Sequence, residues 1–186
     1  MYFIGEILLR VIDIYQIIIL VIPFVFIISF GLRIEGIGGF ILRILAFWIF
    51  VGASITDFLD GYIARRDNLV TNLGKLLDPL ADKILVLSAL VVFTKNDQLS
   101  VWFVLLILFR ELGITGLRSI AAAEGKVIAA ETLGKWKTVS QIIAILIIIL
   151  FPLGNMFGTF IMIIPLVLTF MSGYEYYVNC KDILNK

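Results

Sequence analysis

Long apolar runs separated by short polar breaks make up this chain, and the runs are too long to be strands. Roughly 11–31, 39–65, 74–94, 99–120, 135–153 and 158–178 are each rich in Ile, Leu, Val and Phe. A transmembrane helix needs about 20 mainly apolar residues at ~1.5 Å rise each, and all six runs reach that length. The breaks are of the kind that end helices: Gly31 with RIEGIGG (33–39), KNDQ (95–98) and PLGN (152–155). Two longer connections fall at 66–73 and 121–134. Residues 1–10, MYFIGEILLR, are too short to span and mildly amphipathic, which suits a helix lying in the membrane interface. No internal repeat or low-complexity linker divides the chain. The pattern predicts an all-α polytopic membrane protein of one domain, residues 1–186, with six transmembrane helices behind a short interfacial one.

Composition sharpens this picture. The 186 residues are 61% hydrophobic and 16% charged, against about 45–50% and about 25% in a soluble domain. A core of this size cannot hide so much apolar surface, so lipid must solvate most of it. The net charge of +1 excludes partners that need a strongly basic surface, nucleic acid among them. With one cysteine, Cys180, neither an intrachain disulfide nor a thiolate cluster is possible. There is no histidine, which removes imidazole bases, catalytic triads and His-based zinc sites together. Any metal must be held by oxygen, so Mg²⁺ or Mn²⁺ is the expected ion. The N-terminus carries Glu6 and Asp13 and lacks a basic n-region, so it reads as neither a secretory nor an organelle signal.

Charge position sets the orientation. Arg10, Arg65, Arg66, Lys75, Arg118, Lys126, Lys135, Lys137, Lys181 and Lys186 fall on one side of the six runs. Only Arg33, Arg43 and Lys95 fall on the other. By the positive-inside rule the first side is cytoplasmic, with both termini inside. The connections 66–73 and 121–134 open there.

That side also holds four aspartates. Asp57 and Asp60 are three apart, and Asp78 and Asp82 four apart, so each pair shares a helical face. The intervening turn reverses the chain and lets the pairs meet across two antiparallel helices. Four carboxylates converging in a low-dielectric site cannot all stay ionised without cations between them. Two divalent ions about 3.5–4 Å apart, as in two-metal phosphoryl transfer, meet that need. The residues between the acids fit a nucleotide phosphate. Gly61 and Ala64 leave a groove without large side chains beside Asp60, and Arg65 offers a bidentate fork for a diphosphate. Thr71 adds a hydroxyl, Gly74 opens the third span, and Pro79 is expected in that span's first turns, where a proline is tolerated. The blander readings are an interhelical ion pair or a proton relay. An ion or proton transporter is therefore the competing non-enzyme class. Against it, the acids gather at one face, and the last two spans hold none until Glu175.

The run Asp57-x2-Asp60-Gly61-x2-Ala64-Arg65-x8-Gly74-x3-Asp78-x3-Asp82 resembles the signature of the CDP-alcohol phosphatidyltransferase family at every fixed position. TNLGKLLDPLADKILVLSALV, RELGITGLRSIAAAEGKVIAAETLGKWKTVSQ and LTFMSGYEYY resemble the bacterial branch whose acceptor is glycerol 3-phosphate. The N-terminus departs from the pattern, keeping Arg10 but placing Ile7 or Leu8 where a threonine is usual. The resemblance implies a six-helix, usually dimeric enzyme of the bacterial inner membrane, its site facing the cytoplasm. It implies Asp57 and Asp78 on both of two Mg²⁺ or Mn²⁺ ions, Asp60 on one, and Asp82 on the other while also serving as general base. It further implies Gly61, Arg65 and Thr71 on the CDP group of CDP-diacylglycerol. The phosphatidyl group would pass to glycerol 3-phosphate, giving phosphatidylglycerophosphate and CMP. Cardiolipin synthase or phosphatidylinositol-phosphate synthase chemistry is the alternative within the family.

A second cluster comprises Arg110, Glu111, Arg118, Lys135 and Lys137. Arg110 and Arg118 share a helical face and interrupt an apolar run, and Arg110 lies deep enough to need a partner. Glu111 is one candidate for that partner. Arg110, Arg118 and Lys135 are the expected ligands of the acceptor's phosphate. Lys137 reads instead as flanking charge, together with Lys126, Lys181 and Lys186.

Overall fold

The computed structural model describes residues 20–66, 72–123 and 132–184, and every regular element among them is an α-helix. Six helices follow in order: α1 (Leu20–Gly31), α2 (Gly36–Arg66), α3 (Asn72–Lys95), α4 (Val101–Ala123), α5 (Thr132–Leu150) and α6 (Asn155–Leu184). Three stretches among the described residues are long and apolar enough to cross a membrane: Gly36–Thr56, Leu133–Leu150 and Asn155–Val178. The interfacial helix expected at 1–10 lies outside the described residues.

Helix ends follow the breaks in the pattern to within a few residues, and particular residues account for them. Gly36 takes φ 78°, a left-handed conformation that costs glycine little. A Cβ on Gly39 would stand 1.8 Å from the Ile34 carbonyl oxygen, so only glycine lets α2 begin against the turn. α3 ends in a Schellman arrangement: Gln98 N–H donates to the Phe93 carbonyl at 2.8 Å and Asp97 N–H to the Thr94 carbonyl at 3.3 Å. Asp97 takes the left-handed position at φ 54°, a role more often given to glycine. Lys95 lies in that last turn, where a cation favours the helix dipole. α6 runs past the apolar stretch to Leu184, further than the pattern of hydrophobic positions foretells.

The chain forms two compact units, Met1–Val92 and Phe93–Lys186. In the first, Val21, Phe24 and Ile28 of α1 and Ala46, Phe50 and Ala53 of α2 are buried at helical spacing. The Phe24 and Phe50 rings meet at 5.3 Å, tilted by 49°, a favourable aromatic geometry. In the second unit α6 packs against both α4 and α5. Its buried positions, Met162, Pro165, Thr169, Ser172 and Tyr176, recur at alternating steps of three and four, the seam of a helix bundle. Exposed side chains on the other faces are large and apolar, Trp102, Phe109, Phe160 and Ile164 among them. Such a surface suits lipid, not water.

The α3–α4 turn and the start of α6 are joined directly. Gly154 N–H donates to the Gln98 side-chain oxygen at 3.0 Å. A Cβ on Gly158 would stand 1.9 Å from the Gln98 carbonyl oxygen, so α6 begins hard against that turn.

Candidate active site

α2 carries the first half of the acidic signature on an unbroken helical backbone. The stretch Gly36–Thr56 already spans 21 residues, about 32 Å at 1.5 Å per residue and enough for the hydrocarbon core. Asp57 comes next, so the acids lie beyond the length a membrane crossing requires. The Thr56 hydroxyl donates to the Gly52 carbonyl at 2.8 Å, within its own helix. Asp57, Asp60, Gly61, Ala64 and Arg65 follow on α2, and Gly74, Asp78 and Asp82 on α3. The helical backbone therefore meets the condition on which the paired spacing depends. The side chains at these positions, and the whole of Thr71, lie outside the described residues. α3 begins at Asn72, two residues before the expected start of the span, which makes Pro79 its eighth residue and puts it just past the second turn. There the ring removes the N–H that would bond to the Lys75 carbonyl.

The second cluster is described in atomic detail, apart from Arg118, whose side chain lies outside the described residues. It is a junction of three helices. Arg110 Nη1 lies 3.2 Å from Glu111 Oε1, and Lys137 Nζ of α5 donates to the same oxygen. Arg110 Nη2 donates to Ser172 Oγ of α6 at 2.6 Å. Ser172 Oγ in turn donates to the Thr169 carbonyl at 3.2 Å. The three charged side chains are only 8–11% exposed. A Cβ on Gly173 would stand 3.0 Å from Arg110 Nε and 3.6 Å from its Cγ, so the guanidinium rests where α6 has no side chain.

Glu111 is thus the partner Arg110 needs, as its depth in the apolar run requires. Lys137 corrects the sequence reading. It is a buried counter-ion of Glu111, not flanking charge, whereas Lys135 is exposed. Two residues apart on a helix means about 200° of rotation, so the two lysines cannot both face the junction. The signal was present in the spacing of the buried face of α5, where Lys137 leads into Gln141, Ala144, Ile145 and Ile148. Ser172 and Gly173 were missed as members of this cluster, because each looks like ordinary helix packing until α4 is laid beside it.

Removing one partner of a buried ion pair strands the other charge, at a cost of about 3–5 kcal/mol. Glu111→Ala is therefore expected to lower the stability of the detergent-solubilised protein by that order, while Lys135→Ala, at an exposed position, changes it by under ~0.5 kcal/mol. Thermal unfolding of both variants measures this. Equal, small shifts would show that the carboxylate does not hold the junction.

Among the described residues no three His, Cys, Asp or Glu side chains gather in a way that could hold a metal. The four signature aspartates fall outside that set.

Comparison with known proteins bears on most of the chain. Residues 11–171 match the CDP-alcohol phosphatidyltransferase family. The CDP-diacylglycerol–glycerol-3-phosphate 3-phosphatidyltransferase of Bacillus subtilis is 46% identical over 134 residues, 69% of this chain and 69% of the relative. The protein of that name from Rickettsia bellii is 42% identical over 145 residues, 75% of this chain and 80% of the relative. That from Mycoplasma pneumoniae is 43% identical over 98 residues, 53% of this chain and 43% of the relative.

Proposed function

The chain belongs to the CDP-alcohol phosphatidyltransferase family, and on that premise we propose that it transfers the phosphatidyl group of CDP-diacylglycerol to sn-glycerol 3-phosphate. The products are phosphatidylglycerophosphate and CMP. The observation that carries this reading is the likeness to enzymes of that activity over 69–75% of the chain. The signature from Asp57 to Asp82 stands complete within residues 11–171, which match the family.

The chemistry asks little covalent work of the protein and much positioning. The Asp82 carboxylate takes the proton of the acceptor's primary hydroxyl. The resulting alkoxide oxygen bonds to the phosphorus that bears diacylglycerol, the bond from that phosphorus to the CMP phosphate breaks, and CMP leaves. Gly61, Ala64, Arg65, Thr71 and Gly74 hold the CDP group, Arg65 by a charge-assisted fork. Arg110 and Arg118 hold the phosphate of the acceptor, which distinguishes it from an uncharged alcohol. The paired positions one turn apart on α2 and α3 form an all-carboxylate donor set, which fits hard divalent ions and excludes soft ones. Asp57, Asp60, Asp78 and Asp82 would hold two Mg²⁺ or Mn²⁺ ions, which supply electrostatic stabilisation of phosphoryl charge when bound.

The same reading makes 1–186 one domain of six membrane crossings with both termini cytoplasmic, in the inner membrane of a bacterium and in a homodimer. It is supported by the one-sided distribution of Lys and Arg and by the unbroken family match across both compact units.

Purified protein with CDP-diacylglycerol, Mg²⁺ and a panel of acceptors tests the proposal by CMP release. Glycerol 3-phosphate is expected to support turnover, while phosphatidylglycerol, inositol phosphate and serine do not. Preference for phosphatidylglycerol or inositol phosphate would move the chain to another branch of the family, and release with none would reject the activity.

A further inference from the structure

Arg110 is held by α6 in two ways that differ in kind. Ser172 supplies an oxygen to Nη2 at 2.6 Å. Gly173 supplies space, since a Cβ there would press on Nε at 3.0 Å. These two neighbours on α6 thus act on opposite aspects of one guanidinium, one fixing its direction and the other its depth. Glu111 holds Nη1 from α4, and Lys137 braces Glu111 from α5.

We propose that Ser172 and Gly173 are positioning residues for Arg110, setting where its guanidinium meets the phosphate of the acceptor. The proposal rests on the reading of Arg110 as an acceptor ligand. A planar fork loses a charge-assisted contact when displaced by a few tenths of an ångström, because both distance and direction enter the bond. Alanine at 173 displaces it that far, and the atom it presses belongs to a long side chain that can give way without moving backbone. Alanine is also the better helix former, so the substitution leaves α6 at least as stable. Loss of acceptor affinity with undiminished stability is a combination that simple packing damage does not produce.

The experiment is a double-mutant cycle read through two saturation curves, one for glycerol 3-phosphate and one for CDP-diacylglycerol. Gly173→Ala and Ser172→Ala are each expected to raise the KM for glycerol 3-phosphate about tenfold, the loss of one charge-assisted hydrogen bond. The KM for the lipid stays within about twofold, and thermal unfolding of Gly173→Ala is unchanged or raised. In an Arg110→Ala background, adding Gly173→Ala is expected to have no further effect, since coupled residues are not additive. If Arg110→Ala raises the acceptor KM and the α6 variants do not, the positioning role is overturned and the acceptor site stands. If Gly173→Ala adds its full effect on top of Arg110→Ala, it acts by another route and the proposal is wrong. If Arg110→Ala leaves the acceptor KM unchanged, the acceptor reading of Arg110 fails and the positioning role falls with it.

Discussion

EDTA is expected to abolish CMP release completely, and Mg²⁺ or Mn²⁺ to restore it. Four aspartates within α2 and α3 are the densest acid group in a chain with no histidine and one cysteine. Like charges drawn together at a membrane face raise one another's pKa unless cations intervene. A protonated set could neither bind an ion nor accept a proton, so the arrangement serves this chemistry only when loaded. With no imidazole and a single thiol in the chain, a softer metal lacks the ligand set it prefers, so Zn²⁺ should restore activity poorly. Full turnover in excess EDTA, with CDP-diacylglycerol and glycerol 3-phosphate both saturating, would sink the two-ion reading. It would leave the transfer reaction itself to be explained otherwise.

Asp82→Asn is expected to lower kcat by about 10²–10⁴, the range for loss of a general base, while the KM for CDP-diacylglycerol changes little. Asparagine keeps the size of the side chain but carries no charge and cannot take the acceptor's proton. Arg65→Ala should behave in the opposite way, raising the KM for the lipid with a smaller effect on kcat, because it removes binding that substrate and transition state share. The two variants therefore separate chemistry from nucleotide binding within one signature. A kcat within about threefold of the parent for Asp82→Asn would place the base elsewhere among the aspartates. The KM measured on that variant then shows whether Asp82 contributes to binding instead.

Much of the architecture was legible because each turn announces itself chemically. Gly36 and Gly39, Asn96 and Asp97, and Pro152 and Gly154 all interrupt apolar runs, and the helices end at or beside them. The true ends of α6 and α3 were less visible. Helices in lipid are apolar on most faces, so the amphipathic period that locates an end in a soluble protein is weak. Hydrophobicity then marks the membrane-embedded part and not the helix, which is why α6 continues through Tyr174, Glu175 and Lys181 to Leu184. Pro79 lies two residues deeper in its helix than expected because α3 begins at Asn72, where Asn72, Gly74 and Lys75 dilute the apolar residues that mark a span.

The candidate site divides along a similar line. The aspartate spacing is a property of single helices and can be read from one sequence. The Arg110–Glu111–Lys137–Ser172 junction is a property of three helices at once. Charge alone favoured Lys135, which begins the span, over Lys137, which faces inward. Only the packing of α5 against α6 makes that choice. A serine and a glycine carry no charge to draw attention, so their part in holding Arg110 could not be seen before α4 and α6 were placed together.

The bond from Gly154 to Gln98 also fixes a parity. Two points of the chain, at either end of the α4–α5 segment, are tied to one another, so they lie on the same side of any bilayer. The path between them must cross an even number of times. α5 is long and apolar enough to cross, and if it does, α4 must cross as well, in the opposite sense, carrying Arg110 and Glu111 through the lipid. The pairing of those two charges is then a condition of insertion as well as of the finished fold. A chain that delivered α4 to the membrane ahead of α5 and α6 would have Glu111 as the neighbour for Arg110, and Lys137 and Ser172 would arrive only later.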